Sequence, residues 1–289
     1  MSTSQAKSSG SLQDKHRKAL ISLLADEDAK VYRTVRATIL SYGRASCEWM
    51  REHELSNDPV LRRRAREIID HFTRQDADTQ FLAFCLNQGE DFDLEQGVLL
   101  LCRTQYPQIN KDGYSALLDD YAGELRLRLD LNGLPEQIIR IINDYLFREL
   151  KFTGDEKNYY DAENSYLNCV MDRFVGNAIS LSVLYLLLAR RLRLPMAGIG
   201  LPGHFLCRFQ SSRAEMYVDA FRGGRVLVKA DCVKMVMPLQ HRFDDSFLAP
   251  LSARRILQRL CSGLHQIYTQ QKSTPQAERL QRYLVALAK

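Results

Sequence analysis

Residues 179–192 most constrain what this chain can fold into. Ile179, Leu181, Val183, Leu184, Tyr185, Leu186, Leu187, Leu188, Ala189 and Leu192 place apolar side chains almost all the way round any helix formed there. Such a helix has no face to offer water, so it belongs inside a domain rather than on its surface. It is also too short to span a bilayer. Arg190, Arg191 and Arg193 stand at its C-terminal end, where cations oppose the negative pole of the helix dipole, and Pro195 prevents continuation. Beyond that helix, Gly198–Gly203 leads into the short runs His204–Phe209, Glu215–Phe221 and Val226–Val228, separated by a polar turn and by Gly223-Gly224. This is a hairpin pattern, and it predicts His204 and Asp219 on adjacent antiparallel strands.

The 289 residues suffice for a sizeable core, and 45% hydrophobic with 26% charged residues is ordinary globular composition. A formal net charge of +5 is mild, and acidic residues are spread along the whole chain. Nucleic acid is therefore not expected as a partner. The densest basic run, Arg62–Arg66, is followed at once by Glu67 and Asp70 and reads as a solvated helix face. Seven cysteines, at 47, 85, 102, 169, 207, 232 and 261, are widely spaced with no Cys-x-x-Cys pair. That spacing offers no zinc framework and fits reduced thiols in the cytoplasm. No signal segment or membrane span is recognisable, no metal or cofactor is called for, and the oligomeric state is left open.

Taken in order, residues 1–14 are rich in Ser, Gln and Gly without periodicity and are expected to be a disordered tail. Residues 15–88 carry apolar positions at helical spacing. Asp28 before Val31, Val35 and Ile39 overlays Asp58-Pro59 before Leu61, Ala65, Ile68 and Ile69, a spacing similar to the helical pairs of HEAT repeats. A polar boundary is expected near 74–78 or 89–91. Residues 89–245 should share one core around the central helix, and residues 246–289 read as two amphipathic helices resembling a short TPR-like segment.

An apolar helix followed by a His strand and an Asp strand is similar to the transglutaminase-like, papain-like core. The chain resembles, more narrowly, the SirB family, a bacterial group also related to a domain in certain F-box proteins. The resemblance rests on Asn158-Tyr159-Tyr160-Asp161, Asn164-Ser165, Leu167-Asn168, Gly176, Leu181-Ser182, Leu184-Tyr185, Pro202-Gly203-His204-Phe205 and Asp219-Ala220-Phe221 with Gly223-Gly224. It implies a predominantly helical α+β fold with a small antiparallel sheet. In the active members a Cys at the helix N-terminus is the nucleophile, the His its base and the Asp the group that orients the His. Alignment on Pro195 puts Ala178 at the nucleophile position, and a methyl group attacks no carbonyl.

The resemblance therefore implies a degenerate triad of Ala178, His204 and Asp219. It points to a non-catalytic, regulatory protein, a pseudoenzyme that binds a peptide or protein partner through the old cleft or the helical flanks. Asn158, Tyr160, Asp161, Asn164, Ser165 and Asn168 are the expected polar rim of that cleft. The alternative is a hydrolase or acyltransferase in which His204 and Asp219 activate water or Ser182, one helical turn beyond Ala178.

Overall fold

The computed structural model describes the backbone of residues 3–237 and 243–289, with side chains from Asp14 onward. The chain divides into two compact units, Met1–Asp78 and Thr79–Lys289.

In the first unit, α1 (Thr3–Leu24), α2 (Ala29–Ser41), α3 (Ser46–Arg51) and the first part of α4 (Pro59–Asn87) enclose Leu20, Leu24, Val35, Ile39, Met50, Ala65, Ile68 and Phe72. The two aligned aspartates do the same work. Asp28 accepts the Lys30 N–H at 2.7 Å and Asp58 the Val60 N–H at 2.8 Å, so each caps a helix that follows an extended residue or a Pro. Arg64 donates to the Leu24 and Asp26 carbonyls at the end of α1, and its guanidinium lies 4.1 Å over the Tyr32 ring. Two expectations are corrected. The backbone is helical from Thr3, where a tail through residue 14 was expected, because nothing in that stretch forbids a helix that α1 already nucleates. Residues 74–78 lie inside α4, whose i to i+4 pattern runs unbroken past the polar stretch.

The second unit is built from α5 (Leu94–Gln105), α6 (Lys111–Arg128), α7 (Pro135–Asn143), α8 (Leu167–Arg173), α9 (Ala178–Arg191), α10 (Lys229–Val236), α11 (Ala253–Gln270) and α12 (Thr274–Leu287). Its strands are β1 (Thr153–Gly154), β2 (Val175–Gly176), β3 (Met196–Ile199), β4 (Leu206–Gln210), β5 (Glu215–Asp219) and β6 (Arg225–Leu227). β1 and β2 form a parallel pair, and β3-β4-β5-β6 an antiparallel sheet in that order. Helix α9 is the centre: Ala178 and every residue from Ser180 to Ala189 are buried. Strand alternation splits the sheet between two cores. Cys207, Phe209, Met216 and Val218 face the main core with α9, while Leu206, Tyr217 and Leu227 face a smaller one closed by Cys232, Val236 and Leu248.

Residues 246–289 do not stand apart. Ile256, Leu257, Leu260, Leu264, Leu280 and Tyr283 of α11 and α12 belong to the main core. Arg254, only 5% exposed, ties them in. Its guanidinium donates to the carbonyls of Cys85 and Gln88 at the end of α4 and of Ala286 and Leu287 at the end of α12, at 2.5–3.3 Å. A buried cation thus meets the negative ends of two helices, which solves both its own desolvation and their unpaired carbonyls. Replacing Arg254 by Met should lower the stability of this unit by about 3 kcal/mol, read as a shift in the urea unfolding midpoint; an unchanged midpoint would refute that role.

Six of the seven cysteines are buried and Cys47 is partly exposed. Burial pushes the thiols of Cys85, Cys102 and Cys207 up to about 12 and that of Cys232 up to about 11. Because the thiolate is the nucleophile, the folded protein is expected to react with Ellman's reagent at Cys47 alone, the remainder titrating only on unfolding.

Candidate functional site

The N-terminus of α9 is set by a reciprocal cap. Asn177 accepts the N–H groups of Ile179 (3.1 Å) and Ser180 (3.0 Å), and the Ser180 hydroxyl in turn accepts the Asn177 N–H at 3.0 Å. Gly176 makes room for it: a Cβ there would sit 2.8 Å from the Ser180 Oγ and 3.0 Å from Leu181. The β1–β2 pair delivers the segment that locks this cap. The Asn164 carbonyl receives the Ser180 hydroxyl at 2.6 Å and the Asn177 N–H at 3.1 Å, and the Asn177 amide donates to the Ser165 hydroxyl at 2.8 Å. The cap leaves the N–H of Ala178 unclaimed by any protein group.

His204 is not on a strand. It ends a turn, Leu201-Pro202-Gly203-His204, closed by the His204 N–H on the Leu201 carbonyl at 3.2 Å, and β4 begins two residues later. Pro at the second position and Gly203 at φ +70° at the third are the residues a type II turn requires. Asp219 is the last residue of β5. Its Oδ1 lies 3.0 Å from His204 Nε2 and also accepts the Arg222 N–H at 3.3 Å. The contact with His204 has the length of a hydrogen bond without its alignment: Nε2 and the buried Asp219 Oδ2 have no hydrogen-bond partner. The Asp219 side chain is fully buried and that of His204 is 15% exposed, so the carboxylate reaches solvent only through the ring. With Nε2 turned to Asp219, Nδ1 is the nitrogen left for the cleft.

That cleft holds about 380 Å³ and brings Ala178 and His204 onto one surface. Its walls are Tyr159 and Tyr160, Asn177 and Ile179, and, from α11, Arg259, Ser262, Gly263, Gln266 and Ile267. Phe221 continues the aromatic wall, edge-on to Tyr159 at 5.8 Å and to His204 at 6.2 Å between ring centroids.

Of the six residues expected on the rim, Tyr160 alone lines the cleft. Asn164, Ser165 and Asn168 are buried, the first two spent on the α9 cap. Asp161 is paired with Arg173 at 3.2 Å, and Asn158 closes a surface turn with Asp155. Their polarity signals helix capping and turn chemistry, which in sequence looks the same as a binding rim. Ser182 is corrected as well. It is fully buried, outside the cleft, and the Cys207 thiol lies 3.5 Å from its carbonyl. Four residues also carry Ser182 about 6 Å along the axis from the helix end, into the buried stretch of α9 beside Cys207.

The α11 residues went unread in the sequence. Arg259, Ser262, Gly263 and Gln266 recur at i, i+3, i+4 and i+7, a polar stripe on a helix whose neighbouring stripe enters the core, and only the folded chain turns it toward His204. Among the described residues no group of three or more His, Cys, Asp and Glu is placed to hold a metal, and no helix is long and apolar enough to cross a membrane.

A buried helix whose N-terminus shares a cleft with a turn-borne His, backed by an Asp at the end of β5, is the arrangement of a transglutaminase-like core. The chain belongs to the transglutaminase-like superfamily, whose family model matches residues 112–262, more than half its length. It is 36% identical over 185 residues to a UPF0162 protein of Xylella fastidiosa, an alignment covering 62% of this chain and 66% of that relative, just short of two thirds of its length. A UPF0162 protein of Pseudomonas aeruginosa is 32% identical over 124 residues, covering 42% of this chain and 45% of its own. F-box only protein 21 of Homo sapiens is 32% identical over 151 residues, half of this chain but 23% of that protein. No solved structure matches the chain significantly.

The cap generates a test. Asn177→Ala should cost about 1 kcal/mol of stability and Asn177→Asp little, since a carboxylate still accepts the same two N–H groups. Urea denaturation of both variants measures this, and an equal loss in both would show that the cap is not what holds the helix start.

Proposed function

We propose that the protein is a non-catalytic, regulatory transglutaminase-like protein that binds a peptide or protein partner through the cleft beside His204. The observation that carries this reading is Ala178. It stands at the first position of α9, on the cleft it shares with His204, and alignment on Pro195 equates it with the thiol position of the active members. A helix N-terminus there would stabilise a thiolate, yet the side chain has no reacting atom, and none of the seven cysteines lines the cleft. What is left is a walled concavity with aromatic and polar groups, which suits recognition. The helical flanks supply further surface. The paired, Asp-capped helices of Met1–Asp78 are read as HEAT-like, and α11 with α12 as a TPR-like pair whose outer side remains exposed.

A second reading rests on the short His204–Asp219 contact. The pair that would activate a nucleophile is in contact, though unaligned, so a hydrolase using water is the enzyme alternative. Ser182 supports it poorly, being sealed in the core.

The readings separate by turnover. The wild type is expected to hydrolyse or transamidate no generic amide or ester. Ala178→Cys should gain a slow acylation by p-nitrophenyl acetate, weakened when His204→Ala is added, because the dipole and the imidazole then act on a thiol. Robust wild-type turnover abolished by His204→Ala would replace the binding reading with the hydrolase.

A further inference from the structure

The cleft contains one cation and no acid. Asp and Glu are absent from its lining, and Asp219 lies behind His204 without exposure. Arg259 enters from α11 and spends one guanidinium nitrogen, Nη2, on the carbonyls of Leu201 (3.0 Å) and His204 (3.4 Å), the two ends of the turn that carries His204. Among the described residues Nε and Nη1 have no hydrogen-bond partner, and Nη1 lies against Gly200, where a Cβ would come within 2.8 Å of it. The guanidinium lies 5.9 Å from the Phe205 ring, and among the described residues no carboxylate pairs with it. Burial disfavours the charged form of Arg259, and only Tyr159 opposes that shift. Carbonyl dipoles and a ring face satisfy some of the donors but leave the charge uncompensated. The ordinary solution inside proteins is a carboxylate, and here the protein supplies none.

We propose that Arg259 is the anchor of a carboxylate-binding subsite, so that the partner bound in this cleft presents a carboxylate from a peptide. The inference rests on the binding reading above and narrows its ligand class. One guanidinium without an ion-pair partner matches one singly charged carboxylate, whereas a phosphate dianion would want a second cation that the cleft lining lacks. The unclaimed Ala178 N–H at the positive end of α9 adds a donor on the same surface. Tyr159, Tyr160, Ile179 and Ile267 offer apolar contact for the residues flanking the charge. The carboxylate has two possible sources in a peptide, an acidic side chain or the chain terminus.

Four probes test this on the full chain by the NMR signals of the Arg259 Nε–H and of the His204 ring: acetyl-Phe-Glu-Phe-amide, its neutral isostere acetyl-Phe-Gln-Phe-amide, acetyl-Phe-Gln-Phe with a free C-terminus, and inorganic phosphate. At least one carboxylate probe is expected to shift both signals at millimolar concentration, more weakly as salt rises, and at least about tenfold more tightly than the neutral probe. The Glu probe and the free-terminus probe distinguish side chain from terminus. Arg259→Gln should remove the preference, read on the His204 ring, and Arg259→Lys should keep part of it; an undiminished preference in Arg259→Gln overturns the inference. Equal binding of charged and neutral probes, insensitive to salt, overturns the carboxylate inference while leaving peptide binding in place. Tighter binding of phosphate than of either carboxylate probe, or no shift with any probe, also overturns it.

Discussion

Burial of α9 is the interaction on which the second unit depends. Six of its residues, Leu181, Val183, Leu184, Leu186, Leu187 and Leu188, are aliphatic and buried. Each contributes roughly 1.5–3 kcal/mol relative to exposure, enough to make this one helix the organising element. A helix with no solvent face must be wrapped on every side, which explains the order of the chain around it. Helices α5, α6, α8 and α11 and the sheet all supply residues to the same core. The C-terminal helices are therefore part of the wrapping, and the Arg254 carbonyl cradle fastens them to the end of α4.

Burying a helix also fixes where its ends emerge. The C-terminal end is held by charge: Arg190 pairs with Asp93 at 2.9 Å, and Arg191 with Glu95 and Asp119 at 2.6 Å, cations meeting the acids that open or flank α5 and α6. The N-terminal end is held by neutral hydrogen bonds through Asn177, Ser180, Asn164 and Ser165. Charge there would fill the positive pole that the cleft otherwise presents to a ligand. The asymmetry ties one end of α9 by ion pairs and the other by uncharged hydrogen bonds.

The same division of labour recurs in the turn before β4. Pro202 and Gly203 shape its backbone, Arg259 holds its two end carbonyls, and Asp219 stands behind the imidazole. His204 is thus positioned by three elements distant in sequence, with Ala178 facing the same space. Most of what holds this geometry also holds the fold.

The sequence by itself determined the central helix, the antiparallel strands after it, the transglutaminase-like character and the meeting of His204 with Asp219. Each rests on a local pattern: apolar residues at every position of a helix, short β runs between Gly and Pro turns, and a motif of fixed order. It also showed that Ala178 carries no reacting atom. Only the tertiary structure decided which polar residues face the cleft. Asn164 and Ser165 looked like a rim and are spent on a helix cap, Ser182 looked near the base and is in the core, and Arg259, which no sequence signal singled out, reaches the turn of His204. Hydrogen-bonding capacity is a property of the residue, but its partner is chosen by packing between segments up to a hundred residues apart, and no local pattern records that choice.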